Sequence, residues 1–442
     1  MGILERVDSK DLYRAGTGLE QSQGGPDYGC LSRSVGSEQS EYTAGRYGKA
    51  DIGQCAYLAE CAADVVELDD PVTHCPIMAQ RGLANERSGN KGTFIGEYLS
   101  MKAAMLVRPK RIRVMDVPRP VPGRGEVLVR VRAVGICRSD LHYYLYGRIG
   151  SQVIRRYPQL LGHEPSGEVA ALGPGARGLK VGDRVAVEPA APCGKCGECR
   201  KGRGNICSHV DFLGMPGLKG AFSEYLVMRP ENLFRVPRSV SFEVAAALEP
   251  FSIGLHAVKL VRGYPMKKAA VVGVGPVGLS VLAALKVKPV HVTACDIVPA
   301  RLRVAKRMKA DKVVRVVPRK GVSWNAKRLP GDLDVVFEAG GTPEAMNIAL
   351  EAVRPGGVVA LIGITDDPVV GLHLHIARRK ELVIINVRRS NGEIEDAVRL
   401  VASGRVNLKP MLTHRGGLEA TARFFRLVSG YRKGIVKAVV LP

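Results

Sequence analysis

Cys137 stands 26 residues before the dipeptide His163-Glu164, which lies in Gly162-His163-Glu164-Pro165. A thiolate, an imidazole and a carboxylate can share one zinc ion. Three protein ligands leave the fourth tetrahedral position open, the feature that separates a catalytic zinc from a structural one. A cysteine and a histidine at this distance are often unrelated, so the assignment rests on their surroundings. A second cysteine group, Cys193, Cys196, Cys199 and Cys207, is spaced C-x2-C-x2-C-x7-C in a loop rich in Gly and Lys. Four soft ligands this dense fill a tetrahedral zinc shell, so 193–207 reads as a structural lobe and the chain as a holder of two zinc ions. Disulfides are the competing reading. Met1 to Arg14 has no apolar signal core, which points to a reducing, cytoplasmic setting in which thiols stay free.

The elements that must position these groups are legible downstream. Ala269-Ala270-Val271-Val272 predicts a buried parallel strand running into Gly273-Val274-Gly275-Pro276-Val277-Gly278, and Leu279 to Leu285 predicts a helix. In that context the glycines permit a tight turn and let a pyrophosphate rest on the helix N-terminus. Gly273, Gly275, Val277 and Gly278 are therefore expected to hold a dinucleotide. Asp296 ends the next apolar strand, His291 to Cys295, where a carboxylate accepts hydrogen bonds from an adenosine ribose. Its charge repels a 2′-phosphate, so NAD is expected over NADP, although Arg301 is near enough to soften the preference. The uncharged run from Ala269 to Leu285 can be mistaken for a membrane span. Its glycines and the following Lys286-Val287-Lys288-Pro289 argue for strand, turn and helix instead.

The chain has 442 residues, enough for two or three domains, and its charge is uneven. Residues 1–100 carry 9 Lys+Arg against 15 Asp+Glu, whereas 101–442 carry 56 against 27. Ser22 to Gly53 is rich in Gly, Ser, Gln and Tyr without a sustained apolar period, which predicts disorder. Cys55 to Val66 has the pattern of a short helix, and Cys30, Cys55, Cys61 and Cys75 lack regular ligand spacing. Met101-Lys102-Ala103-Ala104-Met105 resembles a natural beginning. Residues 1–100 are accordingly expected to be a poorly structured extension, or the product of a start codon assigned too early.

Residues 101–442 resemble the zinc-dependent medium-chain dehydrogenases. The likeness is carried by Gly135-Ile136-Cys137-Arg138-Ser139-Asp140-Leu141-His142, by Gly162-His163-Glu164, by the four-cysteine lobe and by the glycine turn. Three stretches are similar to the sorbitol (polyol) dehydrogenase branch: His142-Tyr143-Tyr144 leading into Tyr146-Gly147-Arg148-Ile149-Gly150, then Leu248-Glu249-Pro250-Phe251, and Asn407-Leu408-Lys409-Pro410. The resemblance implies an α/β fold. A GroES-like, β-rich catalytic domain would comprise 101–250 and 388–442, a doubly wound Rossmann coenzyme domain would comprise 251–387, and the active site would lie between them.

It also implies roles for individual residues. Cys137, His163 and Glu164 would hold the catalytic zinc, with Glu249 facing the metal directly or through water. Asp140 would hold His163 in one tautomer, its alternative role being a helix or turn cap. Ser139 would take the substrate proton and His142 would pass it toward solvent. Arg138 differs from the glycine usual in polyol enzymes and would reach the cofactor pyrophosphate. Tyr143, Arg388 and Glu249 would hydrogen-bond a polyol, and Phe212 would wall the cleft or fill the core.

The implied reaction is hydride transfer from a polyol or related secondary alcohol of the sorbitol, xylitol or butanediol type to NAD. L-threonine is an alternative substrate. So is a sugar-alcohol phosphate, whose dianion suits the pair Arg388 and Arg389. The lobe implies a homo-oligomer, with a tetramer favoured over a dimer. The basic body raises nucleic-acid binding as a rival function. Its Lys and Arg residues are dispersed without interleaved aromatics, which argues for a solvated surface. A catalytically dead scaffold is a further rival, opposed by the complete set of candidate ligands.

Overall fold

The central antiparallel strand, Val127–Gly135, alternates in its middle: Arg130 and Arg132 are exposed, and Val129, Val131 and Ala133 beside them are buried. In the computed structural model, which describes residues 99–316, 329–366 and 369–442, this strand organises a seven-stranded sheet. The expectations for residues 1–98 lie outside the described residues. The order across the sheet is Leu233–Arg235, Arg184–Val187, Glu164–Leu172, Val127–Gly135, Lys437–Val440 and Leu412–Gly416, with Tyr225–Met228 also paired to Val127–Gly135. The register sets Gly135 opposite both Glu164 and Val439. One strand end therefore gathers the start of Glu164–Leu172 and the chain's C-terminal strand.

A second sheet is wholly parallel, ordered Lys312–Arg315, His291–Asp296, Lys268–Val272, Leu333–Glu338, Val353–Leu361, Val383–Asn386. Numbered along the chain this order is 3-2-1-4-5-6, the doubly wound arrangement. The order reverses beside Lys268–Val272, so a crevice opens at that strand's carboxyl end, where Gly273 begins the glycine turn. The helix expected from Leu279 begins earlier, at Pro276, because proline at the first helical position has its φ already set and misses no hydrogen bond there. Both the β-rich part and the doubly wound part are thus present. Among the described residues no helix is long and apolar enough to cross a membrane.

A buried acid ties the helix Leu248–Leu260 to the segment entering Ile394–Ala402. Glu393 meets His256 Nδ1 at 3.2 Å and Lys259 Nζ at 2.7 Å, and the other ring nitrogen of His256 lies 3.5 Å from Asn205 Nδ2 in the cysteine lobe. Asn205 also donates to the Arg388 carbonyl at 2.9 Å, so hydrogen bonds tie lobe, helix and the 388–393 turn together. Burial opposes ionisation of Glu393, but the bonds from His256, Lys259 and the Asn391 N–H outweigh it and hold the carboxyl at about 2, below its ordinary 4.5. A depressed acid stabilises the fold fully above its unfolded value, and that contribution fades as pH falls through the folded one. Glu393→Gln is therefore expected to be less stable than the native chain at neutral pH, with the difference in urea unfolding shrinking from about pH 4.5 toward pH 2.

Candidate functional site

The helix Arg138–Tyr146 starts at the end of the central strand, with Cys137 as its extended N-cap residue. Asp140, in its first turn, is fully buried and accepts from three directions: Cys137 N at 3.1 Å, Gly162 N at 3.1 Å and His163 Nδ1 at 3.2 Å. It is both a helix cap and the partner of His163, which joins the two roles considered for it. With Nδ1 engaged, His163 presents Nε2 toward Ser139 Oγ, 3.3 Å away. Burial pulls the His163 pKa down, but the adjoining Asp140 and Cys137 more than compensate and raise it well above its ordinary value.

Ligand atoms of Cys137, His163 and Glu164 lie within 4.8 Å of one another. Glu164 Oε1 is buried without a hydrogen-bond partner, and so is Glu249 Oε2. Burial and the nearby Glu164 push the Glu249 carboxyl up to about 8. A soft thiolate, an imidazole nitrogen and an unpartnered carboxylate oxygen at this separation fit a zinc ion. Glu249, at the start of Leu248–Leu260, borders the trio without belonging to it.

The four lobe sulfurs also lie within 4.8 Å of one another, and tetrahedral Zn–S geometry sets such atoms about 3.8 Å apart. Backbone N–H groups point at them, from Cys193 and His209 to Cys207 Sγ and from Cys199 to Cys196 Sγ. Such donors stabilise thiolates, and they help hold the Cys196 thiol at about 6.

Around the trio, Tyr143 is buried and donates to Gln152 Oε1 at 3.1 Å, and burial pushes its hydroxyl up to about 12. Phe212 stacks on His163, with ring centroids 5.3 Å apart, so it walls the trio instead of filling the core. The Arg389 guanidinium lies 4.8 Å from the centre of that ring, from a backbone at φ 55°. The Arg388 side chain is exposed. His142 is buried, with Nδ1 3.3 Å from Asp366 and Nε2 without a hydrogen-bond partner. Burial lowers its pKa, only partly opposed by Asp366.

At the switch point, Gly273 adopts φ 86°, in the left-handed region that suits glycine. A Cβ on Gly278 would collide with the Gly273 carbonyl. Asp296 spends its oxygens on the chain itself, accepting from Val274 N and Val298 N at 2.8 Å each, with Arg301 Nη1 3.5 Å away. Arg301 lies 4.5 Å over the ring of Tyr431, whose hydroxyl accepts from Arg138 Nη1 at 2.9 Å. Tyr431, Asp366 and Lys437 escaped the sequence reading. For Lys437 a signal existed: it is the one charged residue in the apolar run Ile435–Val440. Its buried ammonium forms an ion pair with Glu164 and donates to the Ile136 carbonyl at 3.0 Å.

Residues 123–238 match the alcohol dehydrogenase GroES-like domain, and 276–403 match the zinc-binding dehydrogenase domain. A sorbitol dehydrogenase of Bacillus subtilis is 38% identical over 346 residues, 78% of this chain and 98% of its own length. The chain belongs to the zinc-dependent medium-chain dehydrogenases, in their sorbitol dehydrogenase branch. Its fold is similar to that of 2R,3R-butanediol dehydrogenase from Bacillus subtilis (TM-score 0.68, 30% identity, covering 78% of this chain and 100% of the other). It is also similar to a short chain alcohol dehydrogenase from Escherichia coli complexed with NADH (TM-score 0.69, 27% identity, 78% and 99%). A member of this family is an oxidoreductase that uses zinc and a nicotinamide cofactor.

Asn at position 140 offers one acceptor oxygen where three donors converge. Asp140→Asn is expected to lower stability by about 1–3 kcal/mol, through a buried donor left unpaired, and to weaken metal retention. Urea unfolding together with metal analysis of the same sample checks both.

Proposed function

We propose that this chain is an NAD-dependent polyol dehydrogenase that oxidises a secondary hydroxyl of a small polyol or diol. The observation that carries the reading is the trio of half-buried Cys137 with buried His163 and Glu164, with a carboxylate oxygen unpartnered among the described residues. We place the catalytic domain at 101–250 and 388–442, with the coenzyme domain at 251–387. Cys137, His163 and Glu164 would hold a catalytic zinc and Cys193, Cys196, Cys199 and Cys207 a structural one. The first supplies Lewis acidity toward a bound hydroxyl, and NAD accepts the hydride.

The chain's own groups handle the proton. Ser139 Oγ, beside His163, receives it from the substrate hydroxyl. His142 is the next acceptor: its Nδ1–H donates to Asp366, which leaves Nε2 with a free lone pair, and its lowered pKa keeps the ring neutral. Asp366 is half exposed and opens this path to solvent. Glu249 and Tyr143 bind the neighbouring hydroxyls.

On the cofactor side, Gly273, Gly275, Val277 and Gly278 receive the pyrophosphate with Arg138. Asp296 and Arg301 face the adenosine ribose, and the fixed negative charge of Asp296 favours NAD over NADP. The enzyme is expected in the cytoplasm as a homo-oligomer, a tetramer ahead of a dimer; the exposed Ile206 beside the lobe supports an assembly there. A second reading, an anionic sugar derivative as substrate, is favoured by Arg389, whose guanidinium lies against the Phe212 ring that borders His163.

The native chain is expected to contain two zinc ions. Cys137→Ala and His163→Ala should each lose one, with turnover abolished and the circular dichroism spectrum unchanged. Cys196→Ala should mainly lose thermal stability. A panel of sorbitol, xylitol, 2,3-butanediol, threonine and a hexitol phosphate, each with NAD and NADP, separates the substrate readings. Full turnover in Cys137→Ala would refute the mechanism.

A further inference from the structure

Lysine is rarely fully buried unless paired, because desolvating an ammonium is costly. Lys437 is 1% exposed, in a strand whose four residues are all buried. Two partners compensate it, and both adjoin the proposed metal trio. One is the carboxylate of Glu164, through Oε2, also 1% exposed; the other is the carbonyl of Ile136, the residue preceding Cys137, at 3.0 Å.

The packing around the pair is built for it. Gly135 faces Glu164 across the ladder, and a Cβ there would run into the Glu164 carboxylate and lie 3.1 Å from Lys437 Nζ. The Lys437 backbone is fixed as well, its carbonyl accepting from Thr413 Oγ1 at 3.2 Å. A pin that merely joined strands could sit anywhere along the ladder. This one sits between two of the three ligand-bearing segments and occupies one carboxylate oxygen, while Glu164 Oε1 is left buried without a partner.

We propose that Lys437 is a positioning residue for the catalytic metal: it fixes the Glu164 carboxylate by one oxygen, leaves the other for the ion, and so preforms the ligand cluster. The proposal rests on the reading of Cys137, His163 and Glu164 as a metal site. Removing the ammonium frees the carboxylate to turn, and where that lost positioning outweighs the relief of cation–cation repulsion the ion should be held less well. Outer partners of metal ligands typically alter affinity about 10- to 100-fold.

The test uses the full chain as native protein, Lys437→Met, Lys437→Arg and Cys137→Ala. Zinc per chain is measured after dialysis against a competing chelator, and the cobalt–thiolate absorption is recorded after exchange with cobalt. Lys437→Met should keep the native circular dichroism spectrum and the lobe zinc, yet lose the second zinc at about 10- to 100-fold lower chelator concentration. Lys437→Arg, which keeps a cation, should recover most of the difference. Native affinity and an unchanged cobalt spectrum in folded Lys437→Met would overturn the proposal. If Lys437→Met does not fold, Glu164→Gln combined with Lys437→Met removes both charges. That pair should fold and hold zinc no more weakly than Glu164→Gln alone, and additive losses would count against the role. Undiminished zinc in Cys137→Ala would instead remove the metal reading beneath it.

Discussion

Crowding of buried negative charge is the constraint on which this molecule turns. Asp140, Glu164 and Glu249 are all nearly inaccessible and each lies beside His163 or the Cys137–His163–Glu164 trio. Isolated carboxylates cannot remain ionised at such depth, so each needs its own remedy. Asp140 is surrounded by two backbone N–H groups and an imidazole. Glu164 has Lys437. Glu249 has no comparable partner among the described residues, and burial and the nearby Glu164 push its carboxyl up to about 8 when no cation lies beside it. The one carboxylate oxygen of the trio without a partner, Glu164 Oε1, is where a divalent cation would complete the balance.

The same economy governs the crevice of the parallel sheet. Asp296 gives one oxygen to the Val274 N–H inside the glycine turn and the other to Val298, which begins the next helix. Its carboxylate thereby fixes the turn before any ribose arrives. Glu338, at the end of the facing strand, does similar work by accepting from Gly340 and Gly341 at 2.7 Å each. Burial nevertheless pushes it up to about 7, against those bonds. Two acids, at the ends of the strands on either side of Lys268–Val272, therefore hold the loops that border the switch point. The Arg138–Tyr431–Arg301 contacts then join this crevice to the helix that begins at Cys137.

Much of this was legible in the sequence, and the limits have physical causes. Cysteine spacing along one loop is a local property, so the lobe could be read directly. The strand, glycine turn and helix are also contiguous, and only the helix start was misplaced, by a proline that begins helices as readily as it ends them. Lys437 was missed because its meaning depends on pairing with residues some 300 positions earlier: it bonds Ile136 across a separation of 301. Tyr431 and Asp366 are distant from Arg138 and His142 in the same way. Asp296 was recognised as an acid at the right strand end, but its commitment to two backbone donors depends on loop geometry that spacing does not encode.

The protonation state of Glu249 bears on what the site can select. An ionised carboxylate beside Glu164 would only accept hydrogen bonds, and it would repel an anionic substrate. A neutral one both donates and accepts, as a hydroxyl does, and so matches vicinal hydroxyl groups without adding charge. Tyr143, raised to about 12, stays neutral as well, and its donated proton is already committed to Gln152. A neutral polyhydroxy ligand would thus meet one donor–acceptor and one acceptor near the trio. The Arg389 guanidinium lies behind Phe212, with Nη1 donating to the Asn205 carbonyl at 3.3 Å. A dianionic substrate would have to draw that guanidinium away from its ring and carbonyl, at the expense of contacts that secure the lobe. A neutral polyol would meet no such expense, so an anionic substrate has to gain more from Arg389 than the ring and carbonyl contacts it displaces.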